Sequence, residues 1–260
     1  MQPDLGYFFE ALTSYQRTGR EPLIGDVVVD SRDVTLGSLF VAIPGDNVDG
    51  HDYIGDAFER GALAALADRV PDGLQASTIN ISGEGVDAVL QWNGSLPVII
   101  VVDESVQAMQ EAATLWRSQF DVQVIGITGS VGKSSTKEMT HAVLSQRYNT
   151  FKSPGNRNSI LGLPGALFGL RPEHERAVLE MGMYTTGEIE SLCNMTHPRI
   201  GVVTIIGPVH LERAGSMETI VAAKQELVEA LPEDGYAILN FDDKRVMAMA
   251  DHTRANIVTY

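Results

Sequence analysis

Cysteine is nearly absent from this sequence, and its scarcity limits the classes of protein that it can encode. Cys193 is the only cysteine among 260 residues, so no disulfide can form within the chain. Small secreted domains depend on several disulfides, whereas thiols stay reduced in the cytoplasm. The N-terminal stretch also lacks the basic segment and small-residue cleavage site of a secretory signal. We therefore expect a cytoplasmic protein.

Long hydrophobic runs are absent as well. The run "VIIVV" at 98–102 has the length of a buried strand, whereas a membrane-spanning helix needs about 20 apolar residues. We therefore expect no membrane span. With 44% hydrophobic residues, the chain is long enough to bury the cores of two ordinary domains.

Basic residues are few compared with acidic ones. The 19 lysines and arginines stand against 34 aspartates and glutamates, which gives a formal net charge of −15. Nucleic-acid recognition usually depends on a basic stripe, so we expect no nucleic-acid partner. A phosphate group could be held only by a local arrangement of backbone N–H groups, a lysine and a metal ion.

Two regions of different pattern indicate two domains. Residues 1–120 combine short strands with helices, which we predict over 56–69 and 105–120, and a loose surface segment over 82–97. Residues 121–260 alternate strands with helices, as in a parallel sheet flanked by helices. The sequence therefore predicts an α/β protein, with a small mixed α/β domain followed by a domain that has a mostly parallel sheet.

The stretch "GITGSVGKSS" at 126–135 is typical of a phosphate-binding loop, although its spacing is unusual. The common pattern wants a glycine where this chain has Ile127, and the glycine stands one place earlier. A predicted strand runs into the loop and Lys133 begins a predicted helix, so backbone N–H groups would face an anion. We expect Lys133 to reach the terminal phosphates and the Ser134 hydroxyl to bind Mg²⁺. The alternative is a tight turn whose glycines serve packing only.

Three further residues near predicted strand ends or on a later helix are candidate partners of a metal or a phosphate. Glu180 ends a predicted strand, where it is either a metal ligand or a solvated acid. His210 follows the next strand and is either a metal ligand or a structural histidine. Lys224 lies four residues from both Ile220 and Val228, in the apolar stripe of a predicted helix. Such a lysine either extends its ammonium to solvent or turns it into a site.

Two polar segments remain open to more than one interpretation. Asn156 and Asn158 lie in the loop "SPGNRNSILGLP" and are either turn formers or ligand contacts. The segment 30–54 gathers Asp30, Ser31, Arg32, Asp49 and His51 around turns, and composition alone shows only a polar face.

Taken together, these segments resemble the ATP-dependent Mur ligases of bacterial peptidoglycan and cell-wall synthesis. The matching segments, in order, are "GITGSVGKSS", "GNRNSILGLP", "LEMGMYTTGEI", "IIGPVHLERAGS", "AAKQELVEALP" and "AILNFDD". The segment 30–54 is similar to the UDP-binding domain of the last two ligases of the pathway. The resemblance implies a UDP-MurNAc-peptide-binding domain over 1–120 and an ATP-binding P-loop domain over 121–260. It also implies a cytoplasmic monomer that uses ATP, Mg²⁺ and small-molecule substrates and serves cell shape and division.

The resemblance also implies a reaction. The "GNRNS" and "LEMGM" segments favour the final ligase step, the ATP-dependent addition of D-alanyl-D-alanine to UDP-N-acetylmuramoyl-tripeptide through an acyl phosphate. The preceding step, which adds the third amino acid, remains an alternative. A second alternative is a shortened module that binds UDP-sugar or ATP without catalysis.

Roles for individual residues follow from the same resemblance. The implied ATP contacts are Thr128, Gly129, Ser130, Gly132, Lys133, Ser134, Ser135, Asn156 and Asn240. The implied ligands of two Mg²⁺ ions are Ser134, Glu180, His210 and Lys224 as a carbamate. The implied contacts with the UDP moiety are Ser31, Arg32 and His51. Lys133, Lys224 and His210 would thereby be catalytic, and carbamylation would make an oxygen ligand of the lysine in the apolar stripe.

This sequence departs from the family pattern in two places. Ile205 stands where the family usually has an asparagine, in "TNIGPxHLE". The family also has a Rossmann-like C-terminal domain. Because the chain stops at Tyr260, directly after a predicted strand over 256–260, we expect that domain to be absent and the central domain to be incomplete.

Overall fold

The chain folds into two compact units, and the computed structural model describes residues 2–45, 48–208 and 215–260. The first unit contains the residues up to Gln119 together with Pro164–Gly169. The second contains Phe120–Leu163 and Leu170–Tyr260. Each unit is built on one all-parallel sheet with helices beside it, which confirms the predicted α/β class.

The first unit has a five-stranded sheet in the order β1-β2-β3-β5-β4. The strands are β1 (Val27–Val28), β2 (Leu39–Val41), β3 (Ala64–Ala67), β4 (Ser77–Asn80) and β5 (Val98–Val101). The helices are α1 (Leu5–Leu12), α2 (Ile54–Glu59), α3 (Ile81–Glu84), α4 (Val86–Gln91) and α5 (Ser105–Ser118). Short 3₁₀ turns at Ser31–Asp33 and Gly50–Tyr53 follow β1 and β2 and carry the polar residues of segment 30–54.

The predicted helix over 56–69 is wrong in its second half. Helix α2 ends at Glu59, and Gly61 then takes a φ of +105° that ends the helical path. Residues Ala64–Ala67 form strand β3, fully buried between β2 and β5. Alanine and leucine favour helices in isolation, but pairing on both sides in the sheet overrides that preference.

The other two predictions for this unit had different outcomes. The predicted helix over 105–120 is confirmed as α5, whose helical period buries Met109 and Trp116 on one face. The segment 82–97, predicted to be a loose excursion, instead contains α4 and the end of α3. Both helices are short, and Gly85 between them has a φ of +57°, so the apolar period that identifies a longer helix is missing.

The second unit has a six-stranded sheet in the order β11-β10-β9-β6-β8-β7. The strands are β6 (Gln123–Thr128), β7 (Thr150–Lys152), β8 (Arg176–Glu180), β9 (Ile200–Val203), β10 (Tyr236–Leu239) and β11 (Asn256–Thr259). The helices of this part of the chain are α6 (Lys133–Leu144), α7 (Gly162–Leu167), α8 (Glu188–Thr196), α9 (Met217–Glu229) and α10 (Lys244–Ala248). The predicted alternation of strands and helices is confirmed.

The strand order places β6 at the point where the chain changes direction across the sheet. Strands β7 and β8 lie on one side of β6, and β9, β10 and β11 lie on the other. In open parallel sheets, ligands bind outside the carboxyl ends of the strands at such a switch point. The loop that follows β6 is the one predicted to bind phosphate, so topology and sequence indicate the same place.

Buried, mostly aliphatic side chains hold α9 against strands β9 and β10. This core contains Val203, Ile206, Ile220, Val228, Leu231, Ala237, Leu239, Val246, Met249 and Ala255. Its apolar residues on α9 confirm the predicted stripe around Lys224. Within the described ranges, no helix combines the length and the apolarity needed to cross a bilayer.

Candidate functional site

The phosphate loop begins where β6 ends, and its backbone requires glycine. Gly129 has a φ of +140°, and a Cβ atom there would lie 1.9 Å from Thr204 Oγ1. Gly132 has a φ of +89° and caps the start of α6. Both conformations are open to glycine and strained for other residues. The loop therefore turns directly from the strand into a helix N-terminus, as an anion site requires.

The early glycine of the loop has a packing reason. A Cβ atom on Gly126 would lie 2.9 Å from Leu227 Cδ1 and 3.1 Å from Met181 Sδ. Leu227 lies on α9, the helix that carries Lys224. The unusual glycine spacing thus allows α9 to lie close against β6.

Hydrogen bonds to the segment after β9 hold the loop in place. The Ser130 backbone N–H donates to Ile205 O at 2.7 Å, and the Ser130 hydroxyl bonds Gly207 at 2.9 Å. The Thr204 hydroxyl donates to Val131 O at 2.7 Å. The buried Thr128 hydroxyl donates to Met181 O at 2.9 Å. The side chains of Thr128 and Ser130 therefore position the loop, and Ile205 contributes through its carbonyl while its side chain is 43% exposed.

Lys133 lies over the loop that precedes it. Its Nζ donates to Gly129 O at 2.9 Å. Burial lowers the pKa of Lys133, and the nearby Glu180 carboxylate acts in the opposite direction. The ammonium is thus half-buried against backbone carbonyl groups of the loop.

Glu180 collects polar partners from two other segments at the carboxyl end of β8. Its Oε2 accepts from the Ser134 hydroxyl at 2.8 Å, and its Oε1 accepts from Asn158 Nδ2 at 2.8 Å. The carboxylate is buried. This geometry disfavours the alternative of a solvated strand-end acid, and it gives Asn158 a defined contact within the site.

Lys137 is a functional candidate that the sequence reasoning missed. Its side chain is 2% exposed, and its Nζ lies 2.8 Å from Gly155 O and 3.7 Å from Glu180 Oε2. The sequence does indicate its position, because Lys137 follows Lys133 by one helical turn and both lysines therefore lie on the same face of α6.

Lys224 projects from α9 toward the same place. It is 4% exposed, and within the described ranges it makes no hydrogen bond or ion pair. Burial, followed by repulsion from Lys133, lowers its pKa to about 8. Its position among the cavity residues disfavours an ammonium extended into solvent.

Lys133, Asn158 and Lys224 line one cavity of about 310 Å³ in the second unit, and Glu180 adjoins it through its bond to Asn158. Its lining residues are Gly129, Ser130, Lys133, Asn156, Asn158, Ser159, Gly182, Met183, Tyr184 and Lys224. Five of the predicted ATP contacts are not among these lining residues: Thr128, Gly132, Ser134, Ser135 and Asn240. Ser135 is exposed on α6, the buried Thr128 faces Met181, and the Asn240 side chain is bonded to Thr204 O at 2.9 Å and to Asp242 N at 3.0 Å. Met183 and Tyr184, which line the cavity, were not predicted.

A second cavity of about 570 Å³ lies in the first unit. It is lined by Val29, Asp30, Ser31, Arg32, Phe40, Ile43, Val48, Gly50 and Tyr53. Two of the three residues predicted to contact the UDP moiety, Ser31 and Arg32, therefore lie on it. Asp30 holds the guanidinium of Arg32 through Oδ1 at 2.9 Å and Oδ2 at 2.6 Å, and this pairing lowers the pKa of Asp30.

His51 is placed differently from the other two residues. Its ring is 1% exposed and does not line the second cavity. Nδ1 lies 2.6 Å from Asp49 Oδ1, and Nε2 accepts from the Asp68 backbone N–H at 3.1 Å. Both ring nitrogens are thus used inside the protein, so His51 supports the turn before α2.

The oxygen donors at Glu180 suit Mg²⁺, which prefers hard oxygen ligands. The Ser134 hydroxyl and the Glu180 carboxylate already lie together. Among the described residues, no cluster of three His, Cys, Asp or Glu side chains has metal-binding geometry. The third predicted ligand, His210, lies outside the described residues. The fourth predicted ligand, Lys224, lines the cavity, and the carbamate on its side chain stays a prediction.

Family models of the Mur ligases match both parts of the chain. The model described as Mur ligase family, catalytic domain, matches residues 24–114, and the Mur ligase middle domain matches residues 127–260. The second match covers every residue that lines the cavity of the second unit.

Curated relatives agree with these matches. The chain is 36% identical over 259 residues to UDP-N-acetylmuramoyl-tripeptide–D-alanyl-D-alanine ligase from Synechocystis sp., covering 99% of this chain and 53% of that protein. It is 36% identical over 229 residues to the Bacillus subtilis ligase of the same name, covering 86% of this chain and 45% of that protein. The chain thus spans about half the length of the curated relatives it matches.

Solved structures show the same fold. A crystal structure of MurF from Acinetobacter baumannii superposes with a TM-score of 0.78 at 26% identity, covering 100% of this chain and 53% of that one. MurF ligase from Thermotoga maritima in complex with ADP gives a TM-score of 0.70 at 30% identity. The match covers 90% of this chain and 49% of that one. With the middle-domain model matching more than half of its residues, the chain belongs to the Mur ligase family.

Proposed function

We propose that this chain provides the nucleotide- and acceptor-binding parts of a ligase that adds D-alanyl-D-alanine to UDP-N-acetylmuramoyl-tripeptide. The observation that carries the proposal is a strand-end cavity lined by Lys133 and Lys224, which the Ser134–Glu180 pair adjoins through the cavity residue Asn158. The two curated relatives at 36% identity bear the name of that ligase. In this proposal, residues 1–120 bind the UDP-MurNAc-peptide and residues 121–260 bind ATP. The working form is a cytoplasmic monomer that serves peptidoglycan synthesis, cell shape and division.

ATP is the nucleotide that the site would take. The T. maritima relative was solved with ADP, and the loop of this chain has the glycines that such a loop requires. In the proposed site, backbone N–H groups between Gly129 and Ser135 hold the phosphates, and Lys133 places its ammonium beside the terminal ones. Asn156 contacts the nucleotide from the cavity wall. Thr128, Ser130 and Asn240 contribute by holding the backbone in place.

Two Mg²⁺ ions complete the proposed site. Ser134 and Glu180 hold the first, because their oxygens already lie 2.8 Å apart. His210 and a carbamate on Lys224 hold the second. A carbamate forms from a neutral amine, and burial beside Lys133 disfavours the ammonium form of Lys224.

These residues would stabilise negative charge on the transferring phosphoryl group, and they would form no covalent bond with the substrate. Bound Mg²⁺ supplies positive charge at the oxygens of the transferring phosphoryl group. Lys133 adds a fixed charge from the loop, already half-buried before the reaction begins. The tripeptide carboxylate accepts the phosphoryl group, and the amine of D-alanyl-D-alanine then attacks the acyl phosphate and releases phosphate.

The acceptor would lie in the cavity of the first unit. Ser31 offers a hydroxyl and Arg32 a guanidinium at its wall. Arginine pairs well with phosphate oxygens, which suits the diphosphate of UDP. His51 supports this wall indirectly, because its ring bonds the Asp49 carboxylate and the Asp68 backbone N–H.

Calorimetry and a ligation assay together test the proposal. We expect the 260-residue chain to bind MgADP and UDP-MurNAc-tripeptide, and Lys133→Met to lose MgADP binding. In the ligation assay we expect phosphate release only when D-alanyl-D-alanine and the tripeptide acceptor are both present. A well-folded chain that binds neither ligand would contradict the assignment.

Two other outcomes identify the alternatives. Consumption of the dipeptide acceptor with a free amino acid would indicate the preceding ligase of the pathway. Binding of both ligands without any ADP formation would indicate a module that binds without catalysis. Ile205 bears on this second outcome, because its side chain is apolar where the family has an asparagine.

A further inference from the structure

Helix α6 buries a lysine and leaves two of its large apolar residues exposed. Within α6, Lys137 is the buried residue, whereas Met139 and Val143 are 70% and 72% exposed. Burying an ammonium costs free energy unless it is paired. A leucine at this position would pack without that cost. The lysine therefore needs an explanation in terms of charge.

The partners of Lys137 show which charge it serves. Nζ donates one hydrogen bond, to Gly155 O at 2.8 Å, although an ammonium has three N–H groups. Among the described residues, the carboxylate oxygens that pair with it are Glu180 Oε2 and Glu138 Oε1, both 3.7 Å away. Glu138 is exposed and also pairs with Lys152, so the buried partner is Glu180.

The oxygen that faces Lys137 is the one bonded to Ser134, at the proposed first Mg²⁺ position. Lys133 places a second ammonium group at the adjacent cavity, near enough to interact with Glu180. Two ammonium groups, on Lys137 and Lys133, thus stand near the buried Glu180 carboxylate. A bare divalent cation would enter a region that is already positive, whereas the phosphates of a nucleotide would bring the compensating charge.

We propose that Lys137 is a positioning residue that makes divalent-cation binding at Glu180 depend on bound nucleotide. The inference rests on the proposed ATP function of the site. Without nucleotide, the Lys137 ammonium neutralises Glu180 and repels a second cation. With nucleotide, phosphate oxygens supply ligands and negative charge, so the same cation binds despite Lys137.

Mn²⁺ binding tests this inference directly. The free Mn²⁺ signal in electron paramagnetic resonance is measured during titration of the wild-type chain, Lys137→Met and Lys137→Gln, each with and without a non-hydrolysable ATP analogue. Lys137→Gln keeps a donor for Gly155 O and removes the charge, so it separates charge from hydrogen bonding. Lys152→Met is the matched control, because in the part of the chain that the structure describes this lysine pairs with the exposed Glu138 and not with Glu180.

We expect both Lys137 variants to bind Mn²⁺ at least tenfold more tightly than the wild type without nucleotide. The gain should shrink when the analogue is present and disappear in Lys137→Met/Glu180→Gln, and Lys152→Met should match the wild type. Mn²⁺ should also raise the melting temperature of the two Lys137 variants, since a cation then replaces the lost charge beside Glu180. Unchanged nucleotide-free Mn²⁺ affinity in both folded variants would overturn the inference.

The design separates this inference from the proposed function. Failure of the wild type to bind the analogue would count against the ATP site. The comparison without nucleotide does not depend on that result and still decides the role of Lys137.

Discussion

Gly129 shows how closely the phosphate loop approaches its neighbour. Its backbone lies against Thr204, whose hydroxyl donates to Val131 O at 2.7 Å and also lies 3.3 Å from Thr128 O, so that it contacts both sides of the loop. The approach leaves no room for even one added methyl group. A change at this single position should therefore disturb the whole anion site.

We predict that Gly129→Ala reduces MgADP affinity at least 100-fold in calorimetry. The new Cβ would lie 1.9 Å from Thr204 Oγ1 at a φ of +140°, so the loop must move. Gly19→Ala is the control, because Gly19 also has a positive φ, +74°, but open space around it. The control should lose about 1–2 kcal/mol of stability from backbone strain alone and keep its affinity. Equal MgADP affinity in the two variants would refute this account of the loop.

Glu21 carries a pH-dependent contribution to stability. Burial acts to raise the pKa of its carboxyl, but hydrogen bonds from Thr18 and Tyr15 outweigh burial and lower the pKa to about 2. The unfolded pKa is about 4.3. Because the folded pKa is the lower of the two, the stabilisation is present above about pH 4.3 and is lost as the pH falls toward 2.

We predict that Glu21→Gln is less stable than the wild type at pH 7 by about 1 kcal/mol, a value reduced for solvent screening of a partly exposed carboxylate. Urea unfolding at pH 7, 4 and 3 should show the difference shrinking as the pH falls. A difference that stays constant over this range would exclude the carboxylate as its source.

At the scale of elements, one side chain connects two helices near the ATP cavity. Glu226, on α9, accepts from the backbone N–H of Gly187 at 2.6 Å and of Glu190 at 3.0 Å, at the start of α8. The N-terminal N–H groups of a helix lack partners within the helix, so this carboxylate caps α8 from outside. The loop that it supports carries Tyr184, which lines the cavity.

We predict that Glu226→Ala lowers the free energy of unfolding by about 1–2 kcal/mol, because two N–H groups lose a charged acceptor. Glu229→Ala on the same helix is the control, since the polar contacts of Glu229 among the described residues are surface ones, with Gln225 and His252. It should change stability by less than about 0.5 kcal/mol. Chemical denaturation of both variants measures the difference, and similar losses would contradict the capping role.

At the scale of the whole molecule, the two proposed ligand sites lie in different units. The cavity with Arg32 is formed entirely by residues of the first unit, and the cavity with Lys133 entirely by residues of the second. Each should therefore lose its own ligand when its basic residue is removed.

We predict that Arg32→Met weakens UDP-MurNAc-tripeptide binding at least tenfold and leaves MgADP binding within twofold. Lys133→Met should weaken MgADP binding and leave UDP-MurNAc-tripeptide binding within twofold. Each substitution removes a positive charge beside one of the two sets of phosphates. Calorimetric titration of both variants with both ligands gives the four affinities. Loss of both ligands from either variant, with the fold intact, would refute the assignment of one site to each unit.

Much of the second unit could be predicted from the sequence, because strand, loop and helix follow one another locally there. The phosphate loop and the apolar stripe around Lys224 are patterns within short segments, and the structure has them as predicted. Strand β3 was missed, since its helix-favouring residues form a strand only through pairing with β2 and β5, which are distant in the chain.

The sequence by itself determined the α/β class, the position of the phosphate loop and the family resemblance, because local periodicity and residue spacing carry that information. Only the tertiary structure decided what the polar side chains do. It showed that Asn158 and Ser134 meet at Glu180, that the His51 ring is bonded internally, and that Lys137 stands buried beside the same carboxylate. These contacts join residues 17 to 46 positions apart. Burial and pairing at such separations depend on how the sheet brings strand ends together, and no local pattern records it.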